Sequence, residues 1–217
     1  MTAKVVLADD HVLFRDGLRV LLEKEADLKV VGEANNGREA VRLAAELQPD
    51  IVVMDVSMPD LNGIEAAREI SARTPKTRVL GLSMHSDRRF VARMLQAGAA
   101  GYLLKDCDYE EFIRAVRAVL AGQTYLSPAV AGGVVNAHVR GGAAAASSAL
   151  RDLTPRQREI LQLVAEGRAT KQIAAHLHVS VKTVDAHRQH IMDKLGLHSV
   201  AELTKFAVRE GLTSPEP

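Results

Sequence analysis

The pattern that most constrains this chain is an alternation in its first 120 residues. Short, nearly unbroken apolar runs are separated by amphipathic stretches. The runs Val5–Ala8, Lys29–Glu33, Ile51–Met54, Val79–Ser83 and Tyr102–Leu104 are rich in Val, Leu and Ile and show little period-two alternation. Strands buried on both faces read this way. Between them, apolar residues recur at helical spacing: Phe14, Leu18, Leu21 and Leu22; then Ala40, Val41, Ala44 and Leu47; finally Phe112, Val116, Val119 and Leu120. Five strand–helix units predict an α/β domain built on a five-stranded, parallel, doubly wound sheet. No Gly-x-Gly-x-x-Gly or Gly-x4-Gly-Lys-Ser/Thr loop is present, so the usual nucleotide cradles are missing.

The rest of the 217 residues reads differently. Ser127-Pro128 is expected to stop the preceding helix, and 129–139 could form a short one. Gly141-Gly142-Ala143-Ala144-Ala145-Ala146-Ser147-Ser148 is small and uncharged, and reads as a flexible linker. The expected organisation is therefore 1–127, a linker 128–150 and a second module 151–217. That module reads all-helical. Thr154-Pro155-Arg156-Gln157 and Ser199-Val200-Ala201-Glu202 are capping boxes, and Gly167, Gly196 and Gly211 follow helical runs. A short helix at 171–177, three connecting residues and a longer helix at 181–195 suggest a helix-turn-helix. The charge is split as well: residues 1–127 sum to −2 and residues 128–217 to +3, and five of the eight histidines fall between His176 and His198. Two modules with different partners are implied, the second facing a polyanion. A single cysteine, Cys107, excludes a disulfide scaffold and has no expected role. No signal peptide and no 18-residue apolar run appear, so a cytoplasmic chain without membrane insertion is expected.

Ligands of a doubly wound sheet bind beyond the carboxyl ends of its strands. Strand 1 ends there in Asp9-Asp10, strand 3 in Asp55, strand 4 in Ser83 and strand 5 in Lys105. Carboxylates gathered in one cleft repel each other, and a hard divalent cation resolves the repulsion. Mg²⁺ accepts a few carboxylates plus water. Lys105 and the Ser83 hydroxyl suit a small tetrahedral anion, which points to phosphoryl transfer onto a carboxylate. His85 borders the same cleft and reads as an ordinary surface histidine.

Three segments then carry a resemblance: Val5–His11, ending in Asp9-Asp10-His11; Asp55-Val56-Ser57-Met58-Pro59-Asp60-Leu61-Asn62-Gly63; and Gly101-Tyr102-Leu103-Leu104-Lys105. They resemble the flavodoxin-like receiver domain of two-component response regulators. Leu153–Glu159 and Ser180–His187, with Ile191 and Lys194-Leu195-Gly196, resemble the LuxR-type helix-turn-helix. Together they resemble the NarL/FixJ subfamily of bacterial transcription factors. The resemblance implies that Asp55 accepts a phosphoryl group from a sensor histidine kinase. Asp10, Asp55 and the Ser57 carbonyl would ligate Mg²⁺, with Asp9 acting largely through water. Lys105 would pair with the phosphoryl oxygens, Ser83 would swing toward them, and Tyr102 would follow it inward. Phosphorylation would favour a homodimer on double-stranded DNA. Such a protein assists its own phosphotransfer and slow dephosphorylation but is not a turnover enzyme. Two rivals stay open on the residues alone. A phosphatase of the haloacid dehalogenase type would want Asp-x-Asp rather than adjacent acids after strand 1. A flavodoxin-like electron carrier would want a hydroxyl-rich loop and flanking aromatics.

On the 181–195 helix, Val184, Ile191 and Leu195 share one face with Val181 beside them, while Lys182, Ala186, Gln189 and Asp193 lie roughly opposite. Gln189 can pair with adenine and Asp185 can accept from cytosine, while small Ala186 allows close approach. Lys182, Thr183, Arg188, His190 and Lys194 are candidates for phosphate. The family often carries a basic residue where this chain has Asp185. Base preference is therefore this chain's own. The fourth helix of the module, with Val200, Leu203, Phe206 and Ala207, is the expected meeting place of a DNA-bound dimer.

Overall fold

A computed structural model describes residues 2–84, 86–132 and 148–213. The chain divides into two compact units, 1–144 and 145–217.

In the first unit, strands β1 (Ala3–Ala8), β2 (Leu28–Ala34), β3 (Ile51–Asp55), β4 (Arg78–Ser83) and β5 (Gly101–Leu104) alternate with helices. These are α1 (Val12–Glu23), α2 (Gly37–Leu47), α3 (Gly63–Arg73), α4 (Arg88–Gln96) and α5 (Tyr109–Leu120). The sheet runs β2-β1-β3-β4-β5-β6 and every pairing is parallel. Because successive residues of a strand face opposite ways, each strand feeds two cores. Val6, Ala8, Val52 and Met54 pack beneath α2, α3 and α4, with Ile64, Ile70 and Met94. Val5, Leu7, Ile51 and Val53 pack beneath α1 and α5, with Leu22, Phe112 and Val116. The absence of period-two alternation in the strand sequences has this cause. Asn36, Asn62 and Asp108 cap α2, α3 and α5, each side chain accepting a backbone N–H three residues on.

The sheet has six strands, not the five expected. The sixth, β6 (Tyr125–Leu126), lies along β5, with Gly101 opposite Tyr125 and Tyr102 opposite Leu126. Ser127-Pro128 therefore does not stop the preceding helix. Helix α5 ends at Leu120, and the chain turns at Gly122, whose φ of +84° a side chain would resist. Pro128 instead opens α6, described over residues 128–132, and Val130 is buried in the core that holds Tyr102. The segment read as a linker, 141–148, lies outside the described residues except for Ser148.

The second unit holds α7 (Ser148–Arg151), α8 (Pro155–Ala165), α9 (Thr170–His176), α10 (Val181–Leu195) and α11 (Val200–Arg209). Both capping boxes form, at Thr154 with Gln157 and at Ser199 with Glu202. One core joins the helices, with Leu150, Leu161, Ile173, Val184, Ile191 and Phe206 among its members. Between α9 and α10, His178 takes a left-handed φ of +52°. Among the described residues no helix is long and apolar enough to cross a membrane.

Candidate functional site

The order β2-β1-β3 reverses direction at β1, so a crevice opens past the carboxyl ends of β1 and β3. Asp9 and Asp10 stand at the end of β1, and Asp55 at the end of β3. Ligand atoms of Asp9, Asp10, His11 and Asp55 all lie within 4.8 Å of one another. Asp9 and Asp55 are buried, 1% and 3% exposed. Lys105, one residue past β5, sends its ammonium between them, 2.7 Å from Asp9 Oδ2 and 2.9 Å from Asp55 Oδ2. The Ser57 amide donates to Asp55 Oδ1 at 3.2 Å. Helix α3 can start this close because Gly63 has no side chain: a Cβ there would sit 1.9 Å from the Asp55 carbonyl oxygen. The Gly63 amide is bonded to the Val56 carbonyl at 3.0 Å.

Burial pushes the Asp55 carboxyl up to about 6, against the pull of Lys105 and with the repulsion of Asp9. Burial also opposes the charge on Lys105, but the attraction of Asp55 and Asp9 outweighs it and holds the ammonium above its ordinary value. One cation thus faces three carboxylates. Asp10 Oδ1 is buried and accepts no hydrogen bond, with the exposed His11 Nδ1 at 3.3 Å. An all-oxygen set with an excess of negative charge and one orphaned oxygen fits a hard divalent cation such as Mg²⁺.

Ser83 and Tyr102, the remaining residues expected here, are both buried and share a hydrogen bond. The tyrosine lies inward in this structure, with Ser83 turned toward it. Burial pushes the Tyr102 hydroxyl up to about 12. Cys107 packs against the α1–α5 core, where burial and the nearby acids of Glu111, Asp108 and Asp106 push its thiol up to about 11, far from reactive. His85 lies outside the described residues.

Three residues at the cleft escaped the sequence reading. His11 Nδ1 lies 3.3 Å from both Asp9 Oδ1 and Asp10 Oδ1. The Phe14 ring sits 4.8 Å from the Lys105 ammonium. Arg15 donates to the Asp9 carbonyl and to Glu33. His11 could have been found from its place beside the acids. Phe14 and Arg15 could not, because at their spacing they read as ordinary core and surface positions of a helix.

In the second unit, Val184 and Ile191 turn inward, while Lys182, Thr183, Asp185, Ala186, Gln189 and His190 are exposed on α10. Ser180 caps the helix by accepting the Thr183 amide at 3.0 Å. Two expected phosphate ligands are engaged within the unit. Lys194 Nζ donates to the Asp152 carbonyl at 2.8 Å and to Gln157 Oε1 at 3.0 Å, fastening α10 to the start of α8. Arg188 donates to Thr170 Oγ1 at 3.0 Å, fastening it to α9. Gln189 Nε2 donates along the surface to Asp193 Oδ1 at 2.9 Å. The apolar stripe expected at a dimer contact is largely spent on the core: Leu203, Phe206 and Ala207 are buried, and of the four only Val200, 44% exposed, remains outside.

Residues 5–117 match the response regulator receiver domain, and residues 151–207 match the luxR family of bacterial regulatory proteins. The oxygen regulatory protein NreC of Staphylococcus carnosus is 41% identical over 213 residues, 96% of this chain and 98% of its own. A two-component response regulator of the LuxR family from Aurantimonas sp. SI85-9A1 is 40% identical, with a TM-score of 0.61 over 64% of this chain and 99% of that one. RcsB of Salmonella typhimurium, at 25% identity and a TM-score of 0.59, covers 96% of this chain and 99% of its own. The first family match covers the acidic crevice and the second covers the helix-turn-helix. The chain therefore belongs to the bacterial response regulators that join a receiver domain to a LuxR-type helix-turn-helix, DNA-binding regulators of transcription.

Proposed function

We propose that phosphorylation of Asp55 by a sensor histidine kinase controls DNA binding by residues 151–217. Asp10, Asp55 and the Ser57 carbonyl would hold Mg²⁺, with Asp9 acting through water. The bound cation supplies positive charge that neutralises the carboxylates and the incoming phosphoryl oxygens. An Asp55 oxygen attacks the phosphorus of a phosphohistidine. The new P–O bond forms as the P–N bond breaks, and the imidazole nitrogen leaves and takes up a proton. Lys105 exchanges its carboxylate partners for phosphoryl oxygens, and the Ser83 hydroxyl turns from Tyr102 toward the same group. The observation that carries this reading is the buried Asp55 carboxylate held by Lys105 beside Asp9 and an unsatisfied Asp10 oxygen.

The modification adds about −1.5 to −2 of charge and three acceptors. Moving a 1:99 equilibrium to 99:1 takes about 5.5 kcal/mol, which a few charge-assisted hydrogen bonds of about 1.5–3 kcal/mol each supply. The active form is a homodimer in the cytoplasm. Its α10 helices read two half-sites of double-stranded DNA, with centres about one duplex turn or a multiple apart. Lys182, Thr183 and His190 face phosphate; Asp185, Ala186 and Gln189 face bases. Arg188 and Lys194 must release Thr170 and Asp152 before they can reach the backbone of the duplex. The protein accepts a phosphoryl group and loses it slowly, without turnover of other substrates.

Acetyl phosphate with Mg²⁺ should add one phosphoryl mass, and Asp55→Ala or a chelator should abolish it. Undiminished labelling of Asp55→Ala would overturn the assignment. Steady turnover of a generic phosphate ester would instead make the protein a phosphatase.

A further inference from the structure

Arg15 is a charged side chain only 13% exposed on the first helix of the receiver, and the phosphotransfer scheme above gives it no task. Its Nη1 donates to the main-chain carbonyl of Asp9 at 2.5 Å. Its Nε donates to Glu33 Oε2 at 3.0 Å. Glu33 lies near the end of β2, paired across β1 with Leu7, and its other oxygen is 3.2 Å from Arg19 Nε. The single guanidinium of Arg15 thereby fastens α1 to the ends of both β1 and β2.

The bond to Asp9 falls on a particular peptide. The Asp9 amide is already held by the Ala34 carbonyl at 3.0 Å. With the Asp9 carbonyl held by Arg15, both polar groups of that residue are fixed. The carbonyl belongs to the peptide plane that leads into Asp10, the residue whose Oδ1 is buried without a hydrogen bond. Fixing that plane fixes the positions of the Asp10 nitrogen and Cα and so narrows where its carboxylate can stand. The charge on Arg15 faces Glu33, so its effect on the cleft comes through the hydrogen bond and not through a bare positive charge beside the cation.

We propose that Arg15 is a positioning residue that sets the affinity of the acidic cleft for its divalent cation by holding the Asp9–Asp10 peptide. The proposal rests on reading Asp9, Asp10 and Asp55 as that cation's site. Residues that orient metal ligands change metal affinity by about 10–100-fold when removed. Arg15→Met keeps the aliphatic stem against the fold and removes both donors. Arg15→Lys keeps the charge but replaces the fixed pair of guanidinium donors with a single ammonium nitrogen on a shorter stem.

The test is a titration of the ¹⁵N-labelled full chain with MgCl₂, following the amide signals of Asp9, Asp10 and His11. It is paired with initial rates of acetyl phosphate labelling across the same Mg²⁺ range. Arg15→Met should raise the half-saturating Mg²⁺ concentration about tenfold, and the labelling rate at saturating Mg²⁺ should stay within about twofold of the unaltered protein. Arg15→Lys should fall between the two. Superimposable titration curves for all three proteins would overturn the proposal. So would a fall in the saturating rate with half-saturation unchanged, which marks damage to transfer or to the fold rather than to cation placement. Should Arg15→Met lose its dispersed amide spectrum, Arg15→Lys decides by the same criteria. Absence of any Mg²⁺-dependent shift in the unaltered protein would defeat the cation site itself, a separate outcome.

Discussion

The acidic cleft of the first unit and the outer face of α10 in the second are both polar, but they keep their charges in opposite places. Asp9, Asp55 and Lys105 are inside the protein, within 3 Å of one another through the ammonium. Lys182, Asp185 and Gln189 stand in water. Charges taken out of water interact strongly, shift their proton equilibria and are coupled to folding. Charges left in water are screened and weakly coupled to the fold. One site is therefore assembled before its ligand arrives. The other, on the proposed function, leaves its side chains to be ordered by the duplex. Changes in the cleft should register in stability as well as in chemistry, and changes on α10 only in binding.

The sharpest way to break this contrast is Gly63→Ala. A methyl group 1.9 Å from the Asp55 carbonyl cannot be accommodated without moving β3 or α3. The substitution should cost more than about 3 kcal/mol, read as a lowered urea midpoint together with reduced labelling of Asp55. An unchanged midpoint would mean that the start of α3 is not tied to the site.

A smaller effect, of opposite sign, is expected of Asp55→Asn. The buried carboxyl binds its proton more tightly in the native state, at about 6, than at its ordinary 3.8. Its ionised form therefore costs stability, in full above about pH 6 and not at all below about pH 4. In the presence of chelator, Asp55→Asn should raise stability by about 2–3 kcal/mol at neutral pH. The gain should shrink to nothing as the pH falls through that window. A gain independent of pH would show that the carboxylate is not desolvated.

The smallest effects on the fold, and the test of the other half of the comparison, lie on α10. Gln189→Ala should cost about 1–3 kcal/mol on a specific DNA site and little on random duplex. Lys182→Ala should weaken binding to every sequence and lower the salt slope by about 0.9. Both variants should melt like the parent, since the Gln189–Asp193 bond is an exposed i,i+4 pair worth a few tenths of a kcal/mol. Titrations at several salt concentrations check this. Equal, sequence-independent losses from both would remove Gln189 from base reading.

What was legible in the sequence follows the same division between inside and outside. The four inner strands, β1, β3, β4 and β5, announced themselves because both faces of each are buried, leaving unbroken apolar runs, whereas the partly buried edge strand β2 showed only a shorter run around Val30-Val31. The cleft residues were legible because their positions at strand ends follow from the topology. Strand β6 was not legible. Two half-buried residues, Tyr125 and Leu126, have no pattern of their own and are strand only because the free edge of β5 pairs with them. The inward and outward faces of α10 were legible from the helical period. The engagement of Lys194 with Asp152 and Gln157 was not, because it joins residues 42 and 37 positions apart. The same holds for Arg15: its grip on the Asp9 carbonyl depends on where α1 packs, which no spacing within α1 reveals.

Strand β6 also decides where the first unit could be cut free. The carbonyls of Ala100 and Tyr102 accept the amides of Tyr125 and Ser127, and Ser127 Oγ donates to Glu111 on α5. Val130 is buried in the same apolar core as Tyr102. A fragment ending with the receiver match at residue 117, or with α5 at Leu120, would present β5 as a bare edge with unpaired carbonyls, a template for adding another chain's strand. It would also remove Val130 from the core that holds Tyr102. An autonomous receiver fragment of this protein therefore extends at least to Val130, and shorter pieces should self-associate through an edge that the intact chain conceals.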